Sequence, residues 1–288
     1  MKLTTLLPRV LVTLVTVALA AVIGWYLWDY YMERPWTRDG RVRADVVQIA
    51  PDVSGLVTQV MVADNQKVHA GDVLFTIDRE RFQLALDQSK AILANRRENM
   101  EQQRRDAERL DKLSNSVIAQ AEREQQESEL VMAEASYRQA LADLQLAKLN
   151  LERTEVHATR DGYITNLELH AGDYVQAGQA ALALVDSNSF HVVGYFEETK
   201  LPRIHPGDRV SIALMSMDRK FEGRVVSIAS GIVDRERSQS PDLLANINPT
   251  FTWVRLAQRI PVRISFDHLP EDWHPAAGLT ATVSVLGE

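Results

Sequence analysis

Cysteine is absent from this 288-residue chain. Disulfides, thiolate metal sites and a cysteine nucleophile are excluded with it. An excess of basic charge is missing too. Thirty-two Lys and Arg stand against 39 Asp and Glu, giving a net charge of −7 and a pI near 5.6. Nucleic-acid binders usually carry a basic face, so no nucleic-acid partner is expected. No Gly-rich phosphate loop ending in Gly-Lys-Ser/Thr and no G-x-S-x-G elbow occur. The histidines (His69, His157, His170, His191, His205, His268 and His274) lack the i, i+4 spacing of a helical zinc site. Each reads as a surface or turn residue. Neither an enzyme nor a bound cofactor or metal is expected. What remains is ordinary: 45% apolar and 25% charged residues, enough length for about two domains of roughly 150 residues.

Charge is absent from one long run. Val10 to Trp28 holds 19 uncharged residues, close to the bilayer core at about 1.5 Å per residue in a helix. Trp25, Tyr26, Trp28, Tyr30 and Tyr31 gather at its far end, where amphipathic rings favour the interface. Ala18-Leu19-Ala20 is a small-x-small cleavage pattern, so a signal peptide is the rival reading. Apolar sequence continues past it, which favours an anchor. Basic residues flank both sides: Lys2 and Arg9 before, Arg34, Arg38, Arg41 and Arg43 after. Long downstream domains cross largely regardless of flanking charge. The expectation is a cytoplasmic tail over 1–9, a single transmembrane anchor over 10–28 and the bulk of the chain outside the cytoplasm.

Glycine and proline are absent from 79–155, and an internal repeat lies on either side of that stretch. Ala50 to Asp78 and Ala158 to Asp186 follow one plan. Gly55 precedes Val68 by 13 positions and Gly71 by 16; Gly162 precedes Val175 and Gly178 by the same intervals. Each copy has a turn glycine, an alternating strand, a polar loop, a valine, a second glycine turn and an apolar strand. Gly55, Gly71, Gly162 and Gly178 sit where tight turns need positive φ or close backbone approach. Alternation buries one face of each strand. One copy is too small for a core, so the two halves, 46–78 and 156–186, should pack as a β-sandwich.

Residues 79–155 read as an antiparallel helical hairpin. Ala, Leu, Glu, Gln and Arg dominate. Leu130, Tyr137, Leu144 and Leu151 form a heptad seam with Ala133, Ala140 and Ala147. Leu86, Leu93, Met100 and Ala107 repeat at the same interval in the first arm. The break falls near 114–118, and each arm spans about 50 Å. Asn95 to Asp106 holds one strongly apolar residue, Met100, so this part should project rather than lie on a core. Asp78 and Asp186 close the two copies and read as caps. Residues 29–45 read as a linker. Short alternating runs after Asp186 make 187–288 a β-barrel domain, with a polar loop over Asp234 to Pro249.

An anchor, two matching β halves split by a projecting hairpin and a terminal β-barrel together resemble the periplasmic adaptor (membrane fusion protein, HlyD) family of Gram-negative efflux systems. The fold implied is mainly β with a long α-helical hairpin: an N-terminal transmembrane helix, a lipoyl-like barrel-sandwich hybrid, an antiparallel coiled-coil hairpin and a C-terminal β-barrel. Trp36-Thr37-Arg38-Asp39, Ala44 to Val47, Ile49 to Gly55, Glu197 to Leu201 and Trp253 to Arg259 are similar to the adaptors of p-hydroxybenzoate efflux. The resemblance implies an inner-membrane transporter and an outer-membrane channel as partners and homo-oligomers, trimers or hexamers. It also implies an energy source outside this chain, and export of small molecules such as aromatic carboxylic acids. In such adaptors an Arg, Leu, Ser pattern at the hairpin tip docks the channel. Arg109 and Leu113 match its first two positions; Ala119 or Gln120 stands where the third would be, and the turn is one residue shorter. A lipoyl-like fold also admits a swinging-arm carrier, but neither junction presents the lysine on a small loop that such carriers modify. A structural stalk without transport shares the architecture.

Overall fold

The structure is a computed structural model describing residues 3–28, 34–112, 120–232, 237–239, 245–247, 257–269, 273 and 276–286. In chain order it contains helix α1 (Leu3–Trp28), strand β1 (Trp36–Arg43), β2 (Val46–Ile49), β3 (Gly55–Val60), β4 (Lys67–Val68) and β5 (Val73–Ile77). Helices α2 (Arg79–Lys112) and α3 (Gln120–Glu152) follow, then β6 (Glu155–His157), β7 (Gly162–Thr165), β8 (Tyr174–Val175) and β9 (Leu182–Asp186). The remainder is β10 (His191–Glu197), β11 (Arg209–Leu214), β12 (Lys220–Ile228), β13 (Arg237–Gln239), β14 (Ala245–Ile247), β15 (Arg259–Phe266) and β16 (Thr280–Leu286). Two compact units emerge, one over Val46–Asn188 and one joining Met1–Asp45 to Ser189–Glu288. The expected class, mainly β with an apolar N-terminal helix, a sandwich, a helical hairpin and a barrel, is what the chain adopts.

In the first unit the two repeat copies exchange strands. One sheet runs β2-β9-β7-β4 and the other β6-β5-β3-β8. Gly55 opposes Val175, and its counterpart Gly162 opposes Val68. Each copy therefore completes the other's sheet, which explains why neither could hold a core alone. Val57, Val68, Leu74, Phe75, Ile77, Ile164 and Leu184 fill the space between, all essentially without solvent contact. Burying a side chain of that size contributes about 1.5–3 kcal/mol. Asp78 caps α2, its Oδ1 accepting from Glu80 N at 3.1 Å. At the other end Thr154 is buried and its hydroxyl donates to Leu151 O at 2.6 Å. Helix α3 stops at Glu152, short of the expected boundary at 155, because Glu155–His157 pairs with β5 as a strand.

The second unit corrects two readings. Residues 29–45 are not all linker: Trp36–Arg43 is strand β1, paired antiparallel with both β10 and β16. It closes the six-stranded barrel β1-β10-β15-β12-β11-β16, so the barrel is not built from 187–288 alone. The reason is packing. Gly40 faces inward where a Cβ would lie 2.6 Å from Ala281 O, and Thr37 and Val42 are its buried neighbours. The wall stays closed only with a residue lacking a side chain, so the strand reads as polar. Within Asp234 to Pro249, expected to be a loop, Arg237–Gln239 pairs with Ala245–Ile247. The barrel core is Val42, Val192, Phe196, Val210, Ile212, Val262, Ile264 and Val283.

Helix α1 begins at Leu3, inside the expected tail. Its segment Leu11–Trp28 has a mean hydropathy of 2.1 and no buried residue.

Candidate docking surfaces

The hairpin arms are 34 and 33 residues long. Seam residues Leu130, Tyr137, Leu144 and Leu151 are half-buried, whereas Ala133 and Ala140 are buried. The small residues let the two helices approach closely, and the larger ones flank them. Farther along, the seam turns polar: Gln126 Nε2 donates to Gln103 Oε1 at 2.6 Å. The outer faces carry i, i+4 and i, i+3 pairs such as Arg97–Glu101 and Lys90–Asp87. Hydrogen bonds from Lys90 and then Gln83 hold the Asp87 carboxyl below its ordinary range. Helix α3 also bears a second apolar row. Met132, Ala135, Ala142, Leu146 and Leu149 recur at threes and fours with Gln139 between, all exposed. Leu84 and Ile92 are exposed on α2.

Arg109 lies near the distal end of α2. Its side chain is 75% exposed, and among the described residues it bonds to Asp106 alone, Nη1 donating to Asp106 Oδ1 at 3.2 Å. Leu113, Ala119 and the turn at 114–118 lie outside the described residues; of the expected tip residues, Arg109 and Gln120, the first residue of α3, have positions. Trp253 to Leu256 and His274 also lie outside them.

Of the repeat turns, Gly71 and Gly178 have φ of 95° and 77°. Gly55 serves close approach, since a Cβ there would meet Ile77 Cγ2 at 2.6 Å. A feature not anticipated from the sequence is a recurring turn. His69-Ala70-Gly71-Asp72, His170-Ala171-Gly172-Asp173 and His205-Pro206-Gly207-Asp208 share one geometry. In each the aspartate accepts from the histidine N–H, at 2.7, 2.8 and 2.7 Å, and glycine takes a φ of 95°, 101° and 98°. The identical His-x-Gly-Asp strings were the signal.

The barrel presents a basic face, also unforeseen. On β1, Arg38, Arg41 and Arg43 point outward beside Asp39. Arg41 aligns with Val193, and Val193 with Arg263. Arg43 Nη2 donates to Tyr195 Oη at 3.1 Å, and Arg259 pairs with Asp39 at 2.7 Å. An open groove of about 890 Å³ runs past Arg41, Arg43, Tyr195 and Arg259. It adjoins a smaller one of about 340 Å³ beside Trp36. There Arg38 and Lys200 each sit 5.5 Å from the indole.

Two family models match. One, described as the barrel-sandwich hybrid domain of the RND membrane fusion proteins, covers residues 45–187; the other, an AAEA-like beta-barrel domain, covers 189–286. Among solved structures, the membrane fusion protein Spr0693 from Streptococcus pneumoniae R6 aligns at 18% identity and a TM-score of 0.64, over 87% of this chain and 98% of that one. MacA from Actinobacillus actinomycetemcomitans aligns at 18% identity and 0.61, over 88% and 79%. ZneB from Cupriavidus metallidurans aligns at 20% identity and 0.52, over 88% and 99%. At these identities the likeness is one of fold.

Proposed function

Because the chain belongs to the membrane fusion protein family, matched over residues 45–187 and 189–286, we propose that it is a periplasmic adaptor. It is held in the inner membrane by Leu11–Trp28 and links an inner-membrane transporter to an outer-membrane channel. The observation that carries this reading is the placement of the hairpin. Helices of 34 and 33 residues leave and re-enter one sandwich between its two exchanged halves. A hairpin so placed spans distance while its base stays fixed. Its charged outer faces suit an aqueous compartment. The exposed second row on α3 supports self-assembly, as trimers or hexamers, in which neighbouring hairpins cover it. The exported class is small aromatic carboxylic acids, on the likeness of 36–39, 44–47, 49–55, 197–201 and 253–259 to adaptors of that kind.

Gene deletion tests it. Loss of the chain should raise intracellular p-hydroxybenzoate and lower tolerance to it, and expression in trans should restore both. Unchanged accumulation across a panel of aromatic acids and unrelated efflux substrates would leave only a structural stalk.

A further inference from the structure

The chain carries a net charge of −7, yet the outer face of β1, β10 and β15 collects five arginines, Arg38, Arg41, Arg43, Arg259 and Arg263, against Asp39 and Glu197. Asp39 neutralises Arg259 at 2.7 Å, and Glu197 pairs with Lys200 at 3.6 Å. Among the described residues no carboxylate lies within ion-pair distance of Arg38, Arg41, Arg43 or Arg263. Such a concentration of unbalanced charge costs stability through self-repulsion, so its retention calls for an anionic partner.

Chain length limits where that partner can be. Trp28 ends the apolar helix and Trp36 begins β1. Eight residues reach at most about 29 Å when fully extended, at roughly 3.6 Å each. The first strand of the basic face is therefore tethered within a short distance of the bilayer surface. The same face carries Trp36 and Tyr195, rings that favour the headgroup level.

We infer that the outer face of β1, β10 and β15 rests on the membrane and binds the phosphates of anionic phospholipids. Arginine forks match phosphate oxygens, and each basic side chain at an anionic surface strengthens binding roughly fivefold. The inference rests on α1 being a membrane anchor. Held this way, the barrel would keep one side against the bilayer.

The absence of cysteine permits a direct test on the full chain. Val193→Cys on β10 sits between Arg41 and Arg263; Ser211→Cys lies on β11, three strands away around the barrel. Each variant is labelled with a fluorophore and reconstituted in phosphatidylcholine vesicles carrying a headgroup-nitroxide lipid, with and without 30% phosphatidylglycerol. Flotation in high salt first establishes that the chain is inserted; failure there overturns the anchor reading rather than this one. With insertion shown, the label at 193 should be quenched several-fold more with phosphatidylglycerol than without, and more than the label at 211. About 0.5 M NaCl should abolish the difference, as should Arg41→Gln with Arg43→Gln and Arg263→Gln. Equal quenching in neutral and anionic vesicles, or quenching insensitive to salt, would overturn the inference. So would quenching at 193 that appears only after an integral membrane protein is added, since the face would then serve that protein.

Discussion

Gly162 tolerates no side chain for a backbone reason. A Cβ there would run into the carbonyl of Val185 on the paired strand and crowd Leu184 Cδ1 at 3.1 Å. A carbonyl held in a ladder cannot swing away as a side-chain tip can. Gly162→Ala should therefore destabilise the sandwich by about 1–3 kcal/mol. Gly231→Ala, with open space around it and no positive φ, should stay within about 0.5 kcal/mol of the parent. Denaturant midpoints of the detergent-solubilised chain compare the two, and equal midpoints would refute the close-approach argument. Asp173→Ala removes the acceptor for His170 N and should cost roughly 0.5–1.5 kcal/mol in the same assay. Some of this detail was visible in the sequence. The interval between Gly71 and Gly178 matched that between Gly55 and Gly162, and these residues do sit at turns or close approaches. Asn65, with φ of 60°, and Gly172, with φ of 101°, occupy the same relative position, but two different residue types hid the correspondence. Both residues take a positive φ, so backbone conformation repeats where identity does not.

At the scale of elements, periodicity was a good guide where one face of a helix or strand is buried and a poor one elsewhere. The heptads of α3 mark its seam because Ala133 and Ala140 must meet α2. Strand β1 escaped notice because its inward residues are Thr37, Gly40 and Val42, only one of them a large apolar side chain, and its register shifts between Thr37 and Gly40. Its partners, β10 and β16, lie more than a hundred residues away, so no local signal announced the closure. The seam itself can be tested. Ala140→Phe places a ring where the helices touch and should destabilise the hairpin by about 1–3 kcal/mol. Limited proteolysis should cut the arms sooner while the sandwich survives; unchanged cleavage would mean the alanines do not set the spacing. The tip belongs to the same element. Arg109 is exposed and, among the described residues, bonds only to Asp106, which engages one of its five N–H donors. Arg109→Glu and Leu113→Asp should each abolish export at normal adaptor level and normal self-assembly. Ala119→Ser should be neutral or mildly improving. Loss of the adaptor itself would instead make Leu113 a residue that closes the hairpin, and unchanged export in both variants would exclude docking by this pair.

For the molecule as a whole, the hairpin's outer surface sets the problem. Met132, Leu146 and Leu149 are 58%, 57% and 45% exposed on α3, in a row spaced as helix-packing residues are. A solvated helix seldom spends large apolar residues this way, and α2 already covers the opposite face. The occupant proposed above is a neighbouring copy of the same hairpin, each copy laying this row against a different flank of the next at the same height. Closed rings follow when such head-to-tail contacts repeat with a fixed rotation. With no native cysteine, Leu146→Cys reports that contact alone. Treated in membranes with a long-spacer bis-maleimide that reaches the equivalent position on the adjacent copy, it should give covalent dimers, and an amine-reactive cross-linker on the parent chain should give a ladder ending at three or six. Leu146→Glu should erase the ladder, because it puts a charge into the contact. It should leave the melting of the isolated chain almost unchanged, because the residue is exposed there. Monomer alone at native expression, with parent and variant indistinguishable, would mean that the row meets some other surface and that assembly does not proceed through the hairpins.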